Sequence, residues 1–107
     1  MSGGVEDIFA QVGAWRDQGE RVALATVIAT WGSSPRPVGS QMAVTQSGRI
    51  VGSVSGGCVE SAVAEASLLT LATGQPQVLD YGVTNERAWE IGLACGGRLR
   101  VFVEEVG

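Results

Sequence analysis

The run Arg21-Val-Ala-Leu-Ala-Thr-Val-Ile-Ala-Thr30 constrains this chain most. It is apolar at odd and even positions alike, so a β-strand made from it buries both faces. Such a strand needs cover on each side, which points to a layered α/β fold. The residues before it can supply one layer. Val5, Ile8, Phe9, Val12 and Trp15 recur at helical spacing, with Ser2 upstream as a cap, Glu6 and Asp7 in the dipole-favoured first turn and Gly19 as a stop.

After the apolar run the pattern changes. Gln41 to Thr45 and Arg49 to Ser53 read as two short strands joined around Ser47-Gly48, a hairpin signal. Ser55-Gly-Gly-Cys-Val-Glu60 leads into a helix with Cys58 in its first turn and Val59, Val63, Ala66 and Leu69 close to one face, and Gly74 and Pro76 close it. Gln77 to Tyr81 reads as a strand. Thr84 caps a short helix through Ala88, Trp89 and Ile91, and the chain ends on a strand in which Leu99, Val101 and Val103 alternate with Arg98, Arg100 and Phe102. The expected fold is a single compact α/β domain over residues 1–107, with a mixed β-sheet of about five strands and helices packed on it. Hairpin-like early turns argue against a doubly wound sheet.

Absences narrow the chemistry. The 107 residues include no histidine, which excludes a histidine general base, a Ser-His-Asp triad and histidine-ligated metal. There is no lysine, which excludes Schiff-base chemistry and a P-loop. A net charge of −4 is a poor footprint for a nucleic-acid partner. All positive charge comes from seven arginines, so any arginine beside a glycine loop draws attention. No apolar run reaches the roughly 18 residues that span a bilayer, and Met1 to Val5 does not open a signal peptide. A cytoplasmic location without a membrane partner is expected, with Cys58 and Cys95 as thiols.

Three loops carry the chemistry-bearing residues. In Gly32-Ser33-Ser34-Pro35-Arg36-Pro37-Val38-Gly39 two prolines restrict the backbone around Arg36, whose guanidinium fork then suits phosphate or carboxylate at lower ordering cost. Ser33 and Ser34 add neutral donors. The plainer alternative is a rigid connection with a solvated arginine. In Ser53-Val-Ser55-Gly56-Gly57-Cys58-Val-Glu60 the glycine amides and the helix start suit an anion, and a thiolate at Cys58 is favoured by the helix end. Glu60 can reach back to the loop as a capping residue. The alternative is a small buried cysteine at a tight turn. In Gly92-Leu-Ala-Cys95-Gly96-Gly97 a cysteine again meets a glycine pair. A disulfide between Cys58 and Cys95 is undecided by sequence. Two thiols without histidine are too few soft ligands for a structural zinc unless carboxylates complete it. No catalytic residue or metal site is assigned, and no G-x-G-x-x-G supports a nicotinamide site. All three loops fall at strand ends, where open α/β sheets collect ligands.

Three segments, GSSPRPVGSQM (32–42), GRIVGSVSGGCVE (48–60) and WEIGLACGGRLRVFVE (89–104), together with ATGQP (72–76) and DYGV (80–83), resemble the amino-terminal domain of the XdhC/CoxI family. These are accessory proteins of xanthine dehydrogenase and carbon monoxide dehydrogenase. The resemblance runs from about residue 5 to 105. It implies maturation of a molybdenum hydroxylase: transient binding of the molybdenum cofactor (molybdopterin), support of its sulfuration with a cysteine desulfurase, and insertion into the target enzyme. Carried onto this chain, it makes Ser33, Ser34, Arg36, Ser55, Gly56, Gly57, Cys58, Glu60, Cys95, Gly96 and Gly97 the cofactor-binding candidates.

Long members of the family carry a second, Rossmann-like domain that does not occur within these 107 residues, so a separate Rossmann-domain chain is an expected partner. A homodimer is another, since most oligomers are symmetric dimers. The resemblance suggests an accessory protein in place of a turnover enzyme. Two other classes of function compete with it: a thiol-based redox module using Cys58, and a docking domain for a partner dehydrogenase.

Overall fold

The computed structural model describes residues 5–31, 37–54, 60–81 and 98–106. Val5–Asp17 forms α1. Ile8, Val12 and Trp15, four and three residues apart, fall on one stripe and are buried. Phe9 stands about 100° around the helix from Ile8 and is exposed. The helix stops at Gly19, whose φ of 86° suits a residue without a Cβ. There the Glu20 amide donates to the Trp15 carbonyl at 3.0 Å and the Gly19 amide to that of Arg16, which satisfies carbonyls the helix leaves open.

Val22–Trp31 is β1, the centre of a five-stranded sheet. With β2 (Gln41–Thr45), β3 (Ile50–Gly52), β4 (Gln77–Tyr81) and β5 (Arg98–Glu105), the order across the sheet is β3-β2-β1-β5-β4. The α/β class and the five strands are as expected, and in detail all four neighbouring pairs are antiparallel. Hairpin pairing puts β2 beside β1 and β3 beside β2. The long connection, which contains α2 (Glu60–Thr73), carries the chain from β3 at one edge to β4 at the other. As a result β1, β3 and β4 run one way, and β2 and β5 the other.

Both faces of β1 are used, as its sequence requires. Ala23, Ala25 and Val27 join Met42, Val44, Leu99, Val101 and Val103 under α2. Val22, with Leu24 packed alongside, meets α1 together with Ala43. Each fully buried valine contributes about 1.5–3 kcal/mol of apolar transfer. The register of β1 on β5 slips between Val27 and Ala29, so Ile28 is the extra residue of a bulge and is exposed.

The buried stripe of α2 is Val63, Ser67, Thr70 and Leu71. This differs from the spacing-based face: Leu69 is exposed, because it lies about 120° around the helix from Val63. The apolar residues are spread around the helix, so periodicity selects no face, and polar satisfaction matters instead. Ser67 Oγ donates to the Val63 carbonyl at 2.8 Å, while Gln77 Nε2 donates to Thr70 Oγ1 and to the Ala66 carbonyl, both at 2.8 Å. That pair of bonds ties the helix to β4. The expected short helix at 84–91 lies outside the described residues.

Candidate functional site

The strand directions gather five strand ends at one end of the sheet: the last residues of β1, β3 and β4 and the first of β2 and β5. Segments 32–36, 55–59 and 82–97, in which the candidate loops fall, are each bounded by that end or by the start of α2. Ser33, Ser34, Arg36, Ser55, Gly56, Gly57, Cys58, Cys95, Gly96 and Gly97 lie outside the described residues. Among the described residues the flanks are Trp31 and Pro37 for the first loop, Val54 and Glu60 for the second, and Tyr81 and Arg98 for the third.

The end is stepped. Gln41, at the start of β2, pairs with Thr26, whereas β1 continues against β5 to Trp31, opposite Arg98. At about 3.4 Å per residue, Trp31 stands roughly 15 Å beyond the start of β2. On the lower step the Ser53 amide donates to the Gln41 carbonyl at 3.0 Å. Gly52, just before it, has φ 84°, and a Cβ there would overlap that same carbonyl oxygen.

Glu60 is the one cofactor-binding candidate among the described residues, and it reaches back as a capping residue should. Its Oε2 accepts from Ser53 Oγ at 2.5 Å and from the Val54 amide at 3.0 Å. One carboxylate thus pins the start of α2 to the end of β3 across the second loop, where a negative group also complements the helix dipole.

On the upper step lies a group that was not singled out from sequence. The Arg98 guanidinium carbon sits 4.3 Å from the centre of the Trp31 ring and that of Arg100 5.4 Å. Arg100 is neutralised by Asp80, its cross-strand neighbour, through Nε–Oδ1 at 2.7 Å and Nη2–Oδ2 at 3.5 Å. That contact raises the Arg100 pKa above its ordinary value. The available signal was adjacency: Arg98 directly follows Gly96-Gly97. Tyr81 closes the row on the α2 side. Burial, and then the nearby Glu65 charge, push its phenol up to about 12.

Among the described residues no helix is long and apolar enough to cross a membrane, and no group of three histidine, cysteine or acidic residues could hold a metal. Chemically, the described rim offers an arginine–tryptophan stack, a setting for an anion, while the start of α2 carries the Glu60 carboxylate.

Comparison with known proteins decides the lineage. Residues 15–82 match the XdhC and CoxI family. The chain belongs to that family. This XdhC/CoxI chain is 35% identical over 88 residues to a protein of Escherichia coli (strain K12) named molybdenum cofactor insertion chaperone PaoD, covering 82% of this chain and 27% of that one. It is 34% identical over 89 residues to a Bacillus subtilis (strain 168) protein named as a probable subunit of xanthine dehydrogenase, covering 81% of this chain and 27% of the relative. A crystal structure of a protein named xanthine dehydrogenase from Bacillus halodurans superposes with a TM-score of 0.76 at 26% identity, over 92% of this chain and 30% of that chain. The XdhC/CoxI chain therefore spans less than a third of the length of each of these proteins.

Proposed function

We propose that this XdhC/CoxI chain is an accessory factor in the maturation of a molybdenum hydroxylase of the xanthine dehydrogenase or carbon monoxide dehydrogenase type. In this reading it binds the molybdenum cofactor transiently, assists its sulfuration beside a cysteine desulfurase, and supports its insertion into the enzyme. The observation that carries the reading is the match, across 82% of the chain, to a protein named molybdenum cofactor insertion chaperone. Physical support comes from the sheet end, where five strand ends and the capped start of α2 flank all three glycine-bearing loops.

The chain's own residues have distinct parts in the proposal. Arg36 pairs with a phosphate or pterin oxygen, with Ser33 and Ser34 as neutral donors. The amides around Ser55, Gly56, Gly57, Gly96 and Gly97 cradle the anion. Cys58 and Cys95 contact or guard the sulfur-bound metal end, where thiol softness suits the chemistry. Glu60 holds the second loop's helix in position. When bound, the cofactor supplies the molybdenum centre that the target enzyme uses, so its release to that enzyme is part of the function. A separate Rossmann-domain chain and a second copy of this chain are the further partners proposed, in a reducing, cytoplasmic compartment.

The test is retention. The purified chain is mixed with molybdenum cofactor and passed through a desalting column, beside a variant carrying Cys58→Ala, Cys95→Ala and Arg36→Ala. Cofactor is expected to co-elute with the wild-type chain and to be lost by the variant. Equal elution from both, or none from either, refutes the proposal.

A further inference from the structure

Among the described residues, Arg98 is the uncommitted cation at the site end of the sheet. Arg21 is paired with Glu105, Arg100 with Asp80, and Arg49 donates to Gln18. Arg16, at the end of α1, is exposed and lies toward the opposite end of the sheet, where β1 begins. Arg98 has neither a hydrogen-bond acceptor nor a carboxylate among the described residues. Its Nε is buried without a partner among the described residues, while the residue as a whole is half-buried. A half-buried guanidinium with no acceptor is costly.

What holds this charge in place is Trp31, directly opposite on β1, with the guanidinium stacked over its ring at 4.3 Å. Stacking immobilises the planar fork and leaves its in-plane N–H groups free to donate, an arrangement that suits a tetrahedral oxyanion. Neighbouring Arg100 adds little net charge of its own, because Asp80 holds it in a two-pronged pair. Among the described residues no carboxylate lies within ion-pair distance of Arg98. α1 makes its sheet contacts on β1, β2 and β3, and the face of β5 that carries Arg98 lies on the α1 side, beyond those strands.

We propose that Arg98, clamped on Trp31, is a phosphate-binding residue of the sheet-end site, donating its guanidinium N–H groups to a phosphate monoester. The proposal deepens the functional reading above and rests on it for the identity of the ester, which is then the phosphate arm of the pterin cofactor. Free phosphate has the same recognising chemistry, and the experiment separates the two sources.

The first arm titrates the 107-residue chain with inorganic phosphate at constant ionic strength. It follows the Arg98 Nε–H and Trp31 indole N–H resonances, assigned from Arg98→Gln and Trp31→Phe variants. A saturable shift of both is expected. Arg98→Gln weakens binding about tenfold or more, the scale of a charge-assisted hydrogen bond. Arg98→Lys weakens it as well, because a point charge lacks the fork. The double variant Arg100→Gln, Asp80→Asn, which removes the neutral pair whole, leaves binding within about twofold. Thermal midpoints confirm folding of each variant, and Trp31→Phe, which retains the charge, gives an intermediate affinity if Arg98→Gln does not fold. A linear, unsaturable shift, or wild-type binding by Arg98→Gln, overturns the proposal.

The second arm repeats cofactor retention with Arg98→Gln and with excess inorganic phosphate. Loss of cofactor in both supports the cofactor's phosphate as the source. Retention undiminished in both refutes the cofactor assignment while leaving the maturation reading intact. Phosphate binding through Arg98 in a wild-type chain that retains no cofactor refutes the maturation reading and leaves Arg98 as a site for free phosphate.

Discussion

Replacing Gly52 by alanine tests how the lower step of the site is held together. Two separate costs follow from the structure. A φ of 84° is left-handed, a conformation that costs a residue with a Cβ about 1–2 kcal/mol. The new Cβ would also overlap the Gln41 carbonyl oxygen and lie 2.8 Å from Ile8 Cδ1. The isoleucine tip can swing aside. The carbonyl is backbone at the start of β2 and already accepts from the Ser53 amide, so relief means moving a strand or losing that bond. Overpacking of this kind costs about 1–3 kcal/mol, for a total of about 2–5 kcal/mol. Gly48→Ala is the natural control: its φ is 92°, yet nothing lies within 4 Å of the added atom, so only the conformational cost applies. Urea unfolding of both variants, with matched m-values, isolates the steric part. Gly52→Ala within about 0.5 kcal/mol of Gly48→Ala would show that the close approach of β3 to Gln41 carries no energetic weight, and the reasoning would fail.

Tyr81 is the single tyrosine, so absorbance near 295 nm follows it alone: its midpoint is expected near 12 in the native chain and near the ordinary 10 in urea, and coincident curves would refute the burial argument. Because the native pKa is the raised one, the stability at stake is fully present below pH 10 and is lost progressively as pH climbs from there toward about 12. Met42 is fully buried beneath α2, so Met42→Ala is expected to cost about 2–5 kcal/mol in urea unfolding, and a loss below about 1 kcal/mol would contradict that packing. Thr70→Val removes an acceptor of Gln77 but leaves the Ala66 carbonyl in place, so a loss of about 1 kcal/mol is expected by the same assay, and no loss would show that this tie to β4 is idle.

Much of the architecture was legible in the residues because local periodicity is a local property. A run apolar on both faces had to lie between two layers, and β1 does, with α1 on one side and α2 on the other. Gly19 and Gly74 mark helix ends with positive φ, as their places in the pattern predicted. The reach of Glu60 back to its own loop follows from short sequence separation, and it is present as two hydrogen bonds to Oε2. The family itself was recognisable from three glycine-bearing segments.

Tertiary structure alone decided the rest. The spacing in α2 favoured Leu69, yet a helix whose apolar residues are spread around it has no preferred face until a sheet selects one. The selected face carries Thr70, whose hydroxyl accepts from Gln77 of β4, and Ser67, whose hydroxyl is satisfied within the helix by the Val63 carbonyl. The order β3-β2-β1-β5-β4 depends on which distant strands close on each other, a balance of chain entropy against packing that no short window contains. That order sets Trp31 opposite Arg98, and with it the one described arginine at the site end whose charge no described carboxylate answers.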